Sequence, residues 1–567
     1  MADDRGQARD YPAWRPKPAS WTKLFGTFWY ALDFRKLLLV ALGILFTSLG
    51  WWLISWIFYG CWSEPRLDEY QRESKEQSKL KTEEERDSWA RTEYARAMDR
   101  WALVHELAGS STTPNGRFAA YYNERHPESA GRNVRMSEGY GGKYRTLPWS
   151  ENRGPNPFLM TRTLVSGSGP ERREVLGQFT AYQLPNVVEP LLKFLGPVYY
   201  FFDPRADFWI HLYLVLLVLW FLVVWAFFGG VITRMTVFQL TGKEGGGVFE
   251  SIAFVRRRYF AYLLSPIIPL ALIGFFVLLC FLFGLLHWIP GFGDIWDGIF
   301  WILPLLAGVA ITLLLIGMFG YPMMYTTLSV EGSDTFDAMS RSYNYVYESP
   351  WHYLWYSLVA LAYGAVVVLF VIIVGSLTAY FAKWGVKQFP SGDRSPEFLF
   401  IYAPESLGWQ RLLTEGSAVA VDDYGRPLDP DAYYNYLSTY WITNKIGAFL
   451  CSFWVTVLFM FVIGFSYSYF WTAATQIYLL MRKRVDETEM DEVYIEEELP
   501  EAPVSPPVTP TPAPTPTPTG PVSVPVDAPT LRQPEPSAPA PAPSPSPSPP
   551  ESTPGSETPG DGKPPGT

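Results

Sequence analysis

Six long apolar blocks, residues 37–60, 208–232, 262–287, 295–320, 354–382 and 449–481, dominate the pattern of hydrophobic and polar positions. Each is long enough, as a helix rising about 1.5 Å per residue, to cross a hydrocarbon layer of roughly 30 Å, so each predicts a transmembrane helix. Two shorter segments carry an apolar stripe at helical spacing instead. In residues 332–357, Phe336, Met339, Tyr343, Val346 and Tyr347 share one face while Asp337, Arg341, Asn344 and Glu348 share the other, the pattern of a helix half-buried in a membrane interface. Asp334 or Thr335 can cap its start. Pro350, which lacks an amide proton, turns the chain before Trp351, Tyr353, Trp355 and Tyr356 reach the headgroup region. Residues 247–264 are a weaker copy, with Phe249, Glu250 and Ile252 standing where the later segment has Phe336, Asp337 and Met339.

The intervening blocks are polar. Residues 1–36 interleave Arg5, Arg9, Arg15, Lys17, Lys23, Arg35 and Lys36 with Trp14, Trp21, Phe25, Phe28 and Trp29, which predicts a cytoplasmic segment skimming the interface, with 37–60 as a signal anchor. Residues 61–207 are a long extracytoplasmic excursion. Within it, 66–107 mixes charges of both signs, and Arg72 with Glu76 and Asp87 with Arg91 have the four-residue spacing of a solvated helix; a coiled coil would need a heptad seam that is not there. Residues 109–177 predict irregular chain with a few short strands, and 184–204, apolar but punctuated by prolines, predict a return along the outer membrane surface. In the outer loop 383–447, residues 431–445 (DAYYNYLSTYWITNK) predict another surface-lying helix. Residues 482–499 form a charged juxtamembrane stretch. The Pro-rich tail 500–567 has too few apolar groups to offset the entropy of ordering, so it reads as disordered polyproline II chain, reaching roughly 200 Å if fully extended.

The apolar fraction of 48% and the 50 prolines among 567 residues therefore belong to different parts of the chain. Much of the net charge of -10 sits in the acidic, proline-rich end, which argues against a nucleic-acid partner. Lys and Arg set the orientation. Residues 233–260 carry Arg234, Lys243, Arg256, Arg257 and Arg258, the last span is followed by Arg482, Lys483 and Arg484, and 289–294 has no basic residue, so both termini are expected inside. Residues 321–353 contribute only Arg341. The Arg256, Arg257 and Arg258 cluster fits either topology anchoring or a contact with anionic lipid.

Candidate chemistry is sparse. His105 and Glu106 begin a zinc-protease-like pair, but the fifth position is Gly109 rather than a second histidine. Ser166 to Gly169 lacks the register of a nucleophile elbow, and Gly139, Gly141, Gly142 and Lys143 lack the spacing of a phosphate loop. The five histidines share no ligand spacing, and Cys61, Cys280 and Cys451 form neither a disulfide framework nor a thiolate cluster. Cys61 also lacks the small residues of a lipoprotein signal. None of the apolar blocks holds Asp, Glu, Lys or Arg near its middle, where a proton relay or coupled-ion site needs one, although Pro266, Pro269 and Pro304 leave room for a transport site made from broken helices. No catalytic, cofactor-binding or metal-ligating residue is expected, and no cofactor.

The segments GGVITR (229–234), SPIIP (265–269), EGSDTFDAMSRSYNYVYESPWHY (331–353) and IYLLMRKRVDETEMDEVY (477–494) resemble those of a group of uncharacterised bacterial multi-spanning membrane proteins. The surface helix feeding a long span is more distantly similar to the membrane domain that accompanies some glycerophosphodiester phosphodiesterases, without their catalytic domain. The resemblance implies location in the bacterial cytoplasmic membrane and an architecture, not an activity. The expectation is thus an all-α integral membrane protein: six transmembrane helices, the last five within a membrane domain 208–481, amphipathic interfacial helices, a partly helical extracytoplasmic region and a disordered tail. Its expected role is non-enzymatic, a membrane scaffold or accessory component with the lipid bilayer and proteins as partners. The alternatives are a permease-like transporter of a small molecule or lipid and, further off, a lipid-acting enzyme.

Overall fold

The computed structural model describes residues 20–59, 67–76, 82–109, 146–151, 153–178, 184–202, 206–388, 396–421 and 427–495. The tail 500–567, Cys61 and the glycines between 139 and 142 lie outside them. A 3-10 turn, Ser20–Gly26, leads into α1 (Thr27–Ala31) and α2 (Phe34–Tyr59), followed by α3 (Leu67–Glu76) and α4 (Glu83–Gly109). The expected solvated helix over 66–107 is two helices packed on each other, with Tyr70 on Tyr94 at 6.2 Å. Asp87 pairs with Arg91 at 3.0 Å as spaced, whereas Arg72 pairs with Asp68, one turn back along α3, at 3.3 Å. Where short strands were expected, the described residues form α5 (Pro157–Ser166) and α6 (Gly169–Gln178), and the only β-feature described is a single bridge between Val421 and Pro427.

Next come α7 (Leu184–Val187), α8 (Glu189–Phe201) and α9 (Phe208–Thr241). Asp207 caps α9 by accepting from the Ile210 amide at 2.9 Å, and Gly242 ends it at φ 69°, a left-handed turn that glycine adopts without strain. The loop expected from Thr233 onward is therefore helical up to Thr241. Its Arg234 is buried, lying 3.9 Å over Phe254 and bonded to the carbonyls of Ser329 and Tyr494, not free at an interface.

α10 (Val248–Arg257) feeds α11 (Tyr259–His287), and α12 (Phe292–Phe300) feeds α13 (Ile302–Met318) across a bend of 53°. The break falls at Trp301. Pro304 lies in the first turn of α13, where a missing amide proton costs little, while Pro266 and Pro269 sit inside α11. α14 (Tyr321–Glu331), α15 (Thr335–Glu348) and α16 (Pro350–Lys387) follow, then α17 (Trp409–Thr414), α18 (Pro430–Ser438) and α19 (Ile442–Val485). Five helices, α2, α9, α11, α16 and α19, are long and apolar enough to cross a membrane, and the bent α12 and α13 pair makes six if it counts as one span.

Asp334 caps α15 as the sequence predicts, accepting from the Asp337 amide at 2.9 Å. The expected stripe is divided, with Met339 and Tyr343 packed against the bundle core beside buried Val346. Ala338, Ser342, Tyr345 and Val346 are buried, whereas Phe336 is 64% exposed and Tyr347 is exposed too. Hydroxyls set this rotation: Ser342 donates to the Gly320 carbonyl at 2.7 Å and Tyr343 to the Leu314 carbonyl at 2.9 Å. Arg341, expected on the solvent side, bonds Glu331 and Asp337, each at 3.0 Å.

Successive long helices alternate in direction. At one end, here the basic end, Gln239 donates to Asp33 at 2.7 Å, Lys36 to Thr472 at 3.5 Å and Arg258 to the Gly332 carbonyl. At the other, Ser55 meets Tyr213 at 2.9 Å. α14 is covered throughout, from Tyr321 to Val330, by α9, α11, α15 and α19. After α19 the chain folds back over the basic end, where the Tyr494 amide donates to the Val330 carbonyl at 2.7 Å.

Candidate functional site

Pro190 stands just after the break at Val188 that divides residues 184–202 into two helices, while Pro197 lies within the second, and this segment does not lie along a surface as its sequence suggests. It enters the bundle. Phe194 is fully buried, 4.6 Å from Tyr321 and 5.9 Å from Phe221, and Val187 packs where Gly364 of α16 leaves space. A Cβ at Gly364 would come within 2.5 Å of Tyr469 and 2.6 Å of Val187, so that close approach requires glycine.

Charge holds the segment in place. Glu189 and Lys193 of α8 are buried and meet Glu151 and Arg153 from the loop before α5. Arg153 grips Glu189 with two bonds, Nε at 2.9 Å and Nη2 at 2.8 Å, and its Nη1 reaches the Pro148 carbonyl at 2.7 Å and Ser406 at 3.0 Å. Its Nη2 also bonds Glu151. Lys193 bridges Glu151 at 2.9 Å and Glu189 at 3.0 Å, and the Tyr467 hydroxyl of α19 donates to Glu189 at 2.9 Å. Two carboxylates and two cations balance, and such a set repays its desolvation only because its polar atoms are bonded. Burial by itself would raise the Glu189 carboxyl, but Arg153 and Lys193 hold it well below the usual carboxylate range. Burial likewise disfavours the Arg153 charge, and Glu189 and Glu151 reverse this, holding its pKa above the ordinary arginine value.

On its other side the segment forms one wall of a lateral groove of about 420 Å³. Leu191, Phe319, Pro322, Leu354, Leu361 and Phe470 are among its lining, which is mostly apolar. Phe319 and Leu354 are exposed, so the groove opens sideways between α13 and α16. Of its hydroxyls, Tyr353 donates to the Phe319 carbonyl at 2.8 Å and Tyr469 to the Ala360 carbonyl at 2.7 Å. The lining therefore offers van der Waals contact to an apolar chain and no matched acid and base for proton transfer.

The motifs singled out in the sequence stay apart from this site. Ser166 donates to the Arg162 carbonyl at 2.8 Å at the end of α5, an ordinary helix terminus. His211 lies between the carbonyls of Asp207, at 2.7 Å, and Phe201, at 3.0 Å, and His287 pairs with Asp297 at 2.8 Å. His105 and Glu106 lie on α4, their side chains outside the described residues. Among the described residues no group of three His, Cys, Asp or Glu is placed to hold a metal ion, and Cys280 and Cys451 are free. Sequence reasoning missed the ion-pair network. The available signal was Glu189 and Lys193, four residues apart in an otherwise apolar stretch. No family model matches the chain, and no curated protein or solved structure matches it.

Proposed function

We propose that this is a non-enzymatic, permease-like membrane protein that takes the apolar chain of a lipid from the bilayer into the groove between α13 and α16. In this reading six spans place both termini in the cytoplasm of a bacterial cell, residues 61–207 and 383–447 outside, and the groove in the cytoplasmic half of the membrane, near the basic end. The observation that carries it is a mostly apolar groove that opens sideways through exposed Phe319 and Leu354 and has a charge-fixed segment as one wall. An opening of that kind admits a ligand from lipid rather than from water. The test is mass spectrometry of lipid that survives purification of the full chain in mild detergent, compared with Leu361→Trp, which fills the groove. Bound lipid lost in the variant, at unchanged thermal stability, supports the proposal; equal lipid in both overturns it.

A scaffold role is the second reading, favoured by the clasp at the basic end. Arg234 and Arg258 hold Tyr494 there, close in sequence to the Pro-rich tail that this reading assigns to protein partners. Stable partners recovered from native membrane with the full chain, and lost on truncation after residue 498, distinguish it.

A further inference from the structure

Buried tyrosines in this bundle generally have partners. Tyr213 meets Ser55 at 2.9 Å, Tyr262 meets Ser329 at 2.8 Å and Tyr478 donates to Glu331 at 2.7 Å, just as Tyr467 and Tyr469 are bonded. Trp51 and Trp220 each donate to a backbone carbonyl at 3.0 Å. Four side chains break this habit together. The hydroxyls of Tyr321 and Tyr325 and the indole nitrogens of Trp225 and Trp471 are fully buried and have no hydrogen-bond partner. Other unpartnered atoms, such as those of Trp296 and Trp409, are scattered through the chain, but these four belong to one stack. Trp471 lies face to face with Tyr325 at 5.4 Å, stacks on Trp225 at 6.0 Å and meets the edge of Tyr321 at 6.1 Å. Gly229 makes room for it, since a Cβ there would approach the Trp471 ring to 2.9 Å.

Each of the four can donate a hydrogen bond, and an indole can do nothing else. Buried donors left together in this way call for a ligand with oxygen acceptors. The stack lies behind the groove wall and not in its lining: Trp471 meets the edge of Phe470, a lining residue, at 5.3 Å, and Tyr321 precedes the lining residue Pro322. Charges in the surrounding bundle are already matched: Arg234 is bonded to the Ser329 and Tyr494 carbonyls, and Glu189, whose partner Tyr467 stacks on Trp225, is held by Arg153 and Lys193. A carboxylate would enter without a counter-ion of its own, which burial disfavours; a neutral carbonyl has no such need.

We propose that Tyr321, Tyr325, Trp225 and Trp471 form the head site for the ligand whose chain lies in the groove, and that the head is a neutral ester carbonyl, so the ligand is an acyl ester. This rests on the groove being a lipid site. The test measures binding of three equal-length chains, methyl oleate, oleate and 1-octadecene, to the full chain in detergent and to the Tyr321→Phe/Tyr325→Phe variant, which keeps both rings. The ester should bind roughly fivefold to tenfold more tightly than the hydrocarbon, and the double variant, which leaves only the two indole donors, should cut that preference to about twofold or less while leaving 1-octadecene unchanged. Tyr325→Phe alone, expected to show part of the effect, serves if the double variant does not fold. Equal binding of ester and hydrocarbon by the unaltered protein overturns the head site and leaves the groove standing. Tighter binding of oleate than of its ester overturns the neutral class. A variant that melts differently but keeps the ester preference assigns these hydroxyls to internal water alone, and no binding of any chain removes the groove reading together with this one.

Discussion

Arg153 satisfies five acceptor atoms on four residues from a side chain only 1% exposed, which makes its neighbours expensive to change one at a time. Glu189→Gln leaves Arg153 and Lys193 sharing one carboxylate and should cost about 3–5 kcal/mol of stability in detergent, the range for breaking a buried pair. Arg162→Ala, which breaks a pair with Glu415 whose side chains are 63% and 40% exposed, should cost less than about 1 kcal/mol. Acid should act through the same carboxylate. Because folding depresses the Glu189 pKa below its ordinary 4.5, its contribution is complete above that value and is lost as pH falls toward the lower folded pKa. Melting temperature should therefore drop below about pH 4.5, and less steeply in Glu189→Gln. None of this set was read beforehand, although Glu189 and Lys193 show a four-residue spacing in the sequence that could have flagged them. Arg153 and Glu151 show no such signal, because they sit in chain without periodicity and acquire meaning only through contacts made across the fold.

Helices whose pattern depends on their own residues were readable, and those placed by neighbours were not. Five of the apolar blocks, the Asp334 cap and the Pro350 start of α16 follow from local composition and are present, whereas the block 295–320 is divided by the bend at Trp301. The roll of α15 is set by Ser342 and Tyr343, whose bonds to the Gly320 and Leu314 carbonyls a hydrophobic pattern alone does not specify. α7 and α8 were misplaced for a related reason: prolines mark a break but not the depth at which it lies. Gly364 tests that depth. Gly364→Leu should drive α16 away from Val187 and Tyr469 and cost about 1–3 kcal/mol, the range for overpacking, read as a lowered melting temperature. Gly385→Leu, with nothing within 4 Å, should leave it unchanged.

Across the whole molecule, long-range ties run between the first and last thirds of the chain. Lys36 reaches Thr472, Ser468 donates to the Ala31 carbonyl at 2.7 Å, and Tyr467 completes the bonding of Glu189. A protein ending at residue 441 lacks all of these partners. With the native cysteines changed to serine, Asn186→Cys should resist a membrane-impermeant thiol reagent in the full chain, where residue 186 is buried, and react in the shortened one. Equal protection in both would show that α7 and α8 settle without α19. The network then dictates an order of events during synthesis. Glu189 leaves the ribosome long before Tyr467, and a charged segment cannot stay in lipid while the wall it will lean on has yet to be made. We predict that residues 184–202 stay accessible to water until α19 is made and turn inward last, so that a stretch near the middle of the chain closes the assembly; pulse-labelled chains should lose protease sensitivity in 184–202 only after α19 is complete.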